Sequence, residues 1–121
     1  MCGWHGSTVH WTHYNWRPDV RALVNRVENR FRTKANTYNE HPTNWRPKLD
    51  AVSVDFWSPA GRGRPINPAV GHAIVRYVRF NDPNRPPIRW YIWQGLIHDP
   101  TPRRYWDRND LHFDHVHFTF W

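Results

Sequence analysis

Apolar side chains follow two spacings in this sequence, and the switches between them mark out the expected elements. Val20, Leu23, Val24, Val27 and Phe31 recur at three- and four-residue steps, as on the buried face of a helix, with Asp19 placed to cap its start. Arg21, Arg26, Glu28 and Arg30 fill the positions between and are expected on the solvated side. Val70, Ile74, Tyr77 and Val78 give a second helix over 69–80, which Pro83, Pro86 and Pro87 end. Between the helices the period drops to two. In 49–57, Val52, Val54 and Phe56 take one side of a strand, while Ala51, Ser53, Asp55 and Trp57 take the other. A short strand is expected over 35–38, another over 88–97, and a third, with strong alternation, over 111–121. The stretches 39–48, 58–68 and 99–110 read as loops, the first two broken by proline or glycine.

The sequence of helix, strand, helix, strand, strand lacks the regular strand–helix alternation of a parallel sheet. The expected fold class is therefore α+β, a small antiparallel sheet flanked by two or three helices. Residues 1–18 keep neither period and read as an irregular arm packed on one domain spanning 19–121.

A chain of 121 residues is long enough for one core. The lone Cys2 rules out an intramolecular disulfide. No run of about eighteen apolar residues occurs, so no membrane span or insertion is expected. The N-terminus lacks the basic-then-apolar order of a signal peptide. The net charge of +7 favours an anionic partner, and nucleic acid and bacterial cell wall both qualify. Nine Trp, five Tyr and six Phe supply either stacking surfaces for sugars and bases or a dense core.

Candidate chemistry concentrates at the C-terminus. On a strand, His115 and His117 share one side with Phe113, and Asp114, Val116 and Phe118 take the other. Neighbouring imidazoles suit zinc, and catalytic zinc takes three protein ligands. Asp55, an acid within an apolar strand, is costly to bury unless it is paired or bound to metal. The plainer alternatives are an Asp55 held by arginine or backbone N–H groups, and a pair of surface histidines. His5, His10, His13, His72 and His98 have no comparable setting and read as structural or surface groups.

Ser53-Val54-Asp55-Phe56-Trp57, then a helix, then Ile92-Trp93-Gln94-Gly95, then His112-Phe113-Asp114-His115-Val116-His117 together resemble the D-alanyl-D-alanine carboxypeptidase-like zinc peptidases. These belong to the lysostaphin, D-Ala-D-Ala and Hedgehog group, and the look is closest to phage endolysin peptidase domains. The resemblance runs from Ala35 to the C-terminus and implies a Hedgehog/DD-peptidase-like fold and a bound Zn2+. It makes Asp55 the carboxylate ligand and His117 the last histidine ligand. The family's first histidine stands seven residues before the aspartate, where this chain has Lys48, whose ammonium cannot ligate. His41, in Glu40-His41-Pro42 fourteen residues upstream of Asp55, matches the family's His-Pro segment followed by a longer loop, an insertion of small energetic cost. The general base implied is a residue just before the terminal histidine: His115 first, Asp114 second. His112 is a candidate for orienting a ligand.

The implied reaction is attack of activated water on a peptide carbonyl, cutting a stem-peptide bond of bacterial peptidoglycan. An arginine should anchor the substrate's carboxylates, and Arg46, Arg62 and Arg64 lie nearest in sequence without one being selected. Trp57, Trp93 and Trp106 either wall the cleft or pack the core. The expected setting is a monomeric phage endolysin or its catalytic module, made in the host cytoplasm without a signal peptide and acting on the wall after release, with no nucleic-acid partner. Two rivals remain. One is a metal-dependent nuclease, although no general-base His with a downstream Asn and His in a strand–helix finger is evident. The other is a non-catalytic cell-wall-binding module.

Overall fold

The computed structural model describes residues 16–37, 51–61, 64–99, 101–104 and 114–121. The arm before residue 16, the 39–48 loop, His41, Arg46, Arg62, Trp106 and His112 lie outside the described residues.

Helix α1 covers Pro18–Arg30, one residue earlier than expected, because Pro18 takes the first helical position, where its missing N–H costs nothing. Asp19 is therefore inside the first turn and does not cap the helix. Its carboxylate accepts from the Val20 N–H at 2.8 Å and from Arg17 Nε at 2.6 Å. Val20, Leu23, Val24 and Val27 are buried as the period requires. Arg26 and Glu28 depart from the expected solvated side. The Arg26 guanidinium donates to both oxygens of buried Asp82 at 2.8 and 2.9 Å, and Glu28 accepts from the Ala35 N–H at 2.9 Å.

Helix α2, Pro68–Arg76, is capped by Asn67, whose side chain accepts from the Ala69 N–H at 2.8 Å. It widens into a π-helical turn, Tyr77–Asn81, closed by the Asp82 N–H donating to the Tyr77 carbonyl at 2.8 Å.

The strands are β1 Lys34–Asn36, β2 Ser53–Trp57, β3 Ile88–Trp93, β4 Leu96–Asp99, β5 Thr101–Arg104 and β6 Val116–Phe120. They form a six-stranded sheet in the order β1-β2-β6-β3-β4-β5, every neighbouring pair antiparallel. The fold is α+β with a small antiparallel sheet, as expected. Three expectations need correction. The single strand over 88–97 is a hairpin, because Gln94 and Gly95 at φ 53° and 80° supply the paired positive φ of a tight I′ turn. The 99–110 loop contains β5. The last strand begins at Val116, and residues 114–115 form a bend ahead of it.

One face of the sheet carries Ala35, Val54, Phe56, Tyr91, Trp93, Val116, Phe118 and Phe120, which join Val20, Leu23, Val27 and Ile74 of the helices in one core. Trp16 also belongs to this core and donates through Nε1 to the Ser53 carbonyl at 2.9 Å. Among the described residues, no helix is long and apolar enough to cross a membrane.

Candidate active site

Residues directly opposite each other on antiparallel strands point to the same side of a sheet. Asn36, Asp55, His117 and Ile92 form one such row, and Ser53, Thr119 and Trp90 the next. The face turned away from the core is thus polar at its centre, and it is buried: Asp55 is 3% exposed, His117 9% and Thr119 0%.

Buried polar groups must find partners, and here they find one another. His117 Nδ1 lies 2.7 Å from Asp55 Oδ1, and His117 Nε2 lies 2.7 Å from Thr119 Oγ1, which is 3.2 Å from Ser53 Oγ. With a neutral ring, the carboxylate fixes the proton on Nδ1. Nε2 then accepts from the Thr119 hydroxyl, and Ser53 donates to Thr119. Among the described residues, neither an arginine nor a backbone N–H donates to Asp55; its neighbours are two imidazoles.

The second imidazole is His115, fully buried and stacked on Trp57 with ring centroids 4.1 Å apart and planes 21° from parallel. The Trp57 Nε1–H in turn donates to Asn36 Oδ1 at 3.3 Å. His115 Nε2 is 3.8 Å from Asp55 Oδ1, and His115 Nδ1 is 2.7 Å from Asp114 Oδ1. Strand alternation placed Asp114 on the opposite side from His115. The bend at 114–115 removes that alternation and lets the adjacent side chains meet. Burial pushes the Asp114 carboxyl upward, but the hydrogen bond and charge of His115 outweigh it and hold the group below the ordinary carboxylate value. Asp114 is therefore an ionised acceptor at neutral pH.

Four of the five candidate site residues are described, and the fold brings Asp55, Asp114, His115 and His117 into contact; His41 lies outside the described residues. No group of three or more His, Cys, Asp and Glu side chains arranged to hold a metal occurs among the described residues. Trp57 borders the site, whereas Trp93 packs in the core, its ring against Gly71 and its Nε1 donating to His72 Nδ1 at 3.1 Å. His72 is thereby structural, and His98 stacks on Tyr91 with centroids 4.3 Å apart. Arg64 is exposed. Thr119 and Trp90 were not anticipated. Thr119 follows from extending the alternation two residues past His117, but Trp90 is placed by a bulge between Ile88 and Trp90, which sequence period does not disclose.

Compared with known proteins, the chain matches no protein-family model, no curated protein and no solved structure.

Proposed function

We propose that this chain is a zinc-dependent peptidase with a Hedgehog/DD-peptidase-like fold that hydrolyses a stem-peptide bond of bacterial peptidoglycan. In this reading it acts as a phage endolysin, or the catalytic module of one, and reaches the wall after release from the host cell. The observation that carries it is the buried Asp55 carboxylate, 2.7 Å from one imidazole and 3.8 Å from another, with no arginine donating to it among the described residues.

The donor set fits zinc. Asp55 would offer a carboxylate oxygen and His117 its Nδ1, the two atoms that share a hydrogen bond here, and both are donor types that zinc takes. His41 is the third ligand in this proposal. Bound there, zinc supplies Lewis acidity toward a peptide carbonyl and toward water.

The remaining work belongs to the side chains. Asp114 keeps the His115 proton on Nδ1, so that in this proposal the Nε2 lone pair takes a proton from attacking water and returns it to the leaving amine. The same carboxylate stabilises the imidazolium formed in between, and the Trp57 stack limits ring rotation. Thr119, backed by Ser53, fixes the orientation of His117 from its far nitrogen. His115 is thus the base, and Asp114 positions it.

Release of free amines from purified cell walls tests the reading. Zinc-loaded wild type should release them, and His115→Ala should retain zinc but lose about 100-fold or more in rate. Degradation of DNA while walls stay intact would favour the nuclease, and wall binding without any release would favour the binding module.

A further inference from the structure

Among the described residues, Arg17, Arg26 and Arg85 are engaged through their N–H groups by Asp19, Asp82 and the Arg79 carbonyl, while Arg30 lies over Phe31 and Tyr77 and Arg79 over Phe80 and Tyr91. The Arg89 guanidinium carbon lies 4.8 Å from the Trp90 ring centroid and 4.6 Å from that of Trp121, and no hydrogen bond or ion pair ties it to any described residue. Stacking on aromatic faces uses the flat sides of a guanidinium and leaves its in-plane N–H donors for a carboxylate, which they match as a fork.

The bulge explains how the cation comes to be there. Arg89 is the extra residue between the pairs Ile88–Phe120 and Trp90–Thr119. The extra residue turns Trp90 to the side of Thr119, Asp55 and His117, so the stack lies on the polar face. Trp121, 64% exposed, is held by its N–H donating to the Pro87 carbonyl at 2.9 Å. It lies four residues beyond His117, about 14 Å at the rise of an extended strand. An extended peptide of about four residues spans the same distance.

We propose that Arg89, held between Trp90 and Trp121, is a remote carboxylate-binding subsite for the peptide whose bond is cut beside His117. The proposal rests on the peptidase reading for the identity of the ligand. Charge complementarity selects a carboxylate: a half-buried cation whose N–H donors no described residue takes, on a chain of net charge +7, facing a polymer whose stem peptides bear free carboxylates.

Binding to the full chain, stripped of metal so that nothing is cut, tests it. A free-acid stem tetrapeptide and the same peptide with its carboxylates amidated are titrated while tryptophan fluorescence is read. Wild type should bind the acid at least tenfold more tightly than the amide. Arg89→Ala should reduce that ratio to near one with an unchanged melting temperature, and Arg89→Lys should fall between. No acid preference in wild type, or the same preference in Arg89→Ala, overturns the subsite. Failure of the peptidase reading shows separately, as zinc-loaded wild type that prefers the acid yet releases nothing from walls.

Discussion

The Asp55 carboxylate lies beside two imidazoles, and the proposed function gives each side chain around them a distinguishable task. Asp114→Asn removes the anion that holds the His115 proton on Nδ1. Activity should fall about tenfold to 100-fold with zinc content unchanged, as measured by initial rates and metal analysis on one sample. Zinc lost together with activity would instead make Asp114 a ligand. The meeting of Asp55 with His117 was legible in the sequence because period-two alternation fixes the side of each on its strand, and burying an acid among valines and aromatics demands a special partner. Two features were not readable. The bend that swings Asp114 onto His115 breaks the very alternation used to place it, and the bulge at Arg89 reverses the side of Trp90.

Helices announced themselves through spacing, and their departures arise where tertiary contacts override it. Arg26 and Glu28 occupy solvent-side positions in the period, yet each is recruited by a neighbour, Asp82 and the Ala35 N–H respectively. The β3–β4 hairpin was hidden because apolar residues continue on both sides of Gln94-Gly95, so that only Gly95 hinted at a turn. Gln94 adopts φ 53°, a region that a side chain with Cβ occupies at a cost. Gln94→Gly should raise stability by about 0.5–1 kcal/mol in urea unfolding, and Gln94→Val should lower it. Gly71 is required by close approach. A Cβ there would lie 2.4 Å from the Trp93 ring, so Gly71→Ala should destabilise by about 1–3 kcal/mol, measured in the same titration. An unchanged midpoint would mean the ring can move aside freely.

The whole molecule is divided by side: helices and apolar core on one face of the sheet, the polar cluster of Asp55, His117, Thr119 and Ser53 on the other. Arg26–Asp82 ties α1 to the end of the π-helical turn, and it gives the fold an acid limit. Burial pushes the Asp82 carboxyl up, but the Arg26 fork, the Asn84 N–H and Tyr77 together hold it below its ordinary 3.8. A depressed carboxyl stabilises the fold fully above its unfolded value, so this contribution is present above pH 3.8 and lost as pH falls from there toward the lower folded value. Arg26→Ala should cost about 3 kcal/mol at neutral pH. The gap in melting temperature to wild type should narrow below pH 4, because protonating Asp82 removes the unpaired buried charge; a gap independent of pH would assign the loss to packing of the arginine stem.

Metal content carries the most weight for the functional reading. Purified wild type, His41→Ala, Asp55→Ala and His117→Ala should be compared for bound zinc, with cell-wall peptide release assayed on the same samples. One zinc per chain in wild type, lost in all three variants together with activity, is the expected result. Full activity in metal-free protein would contradict it.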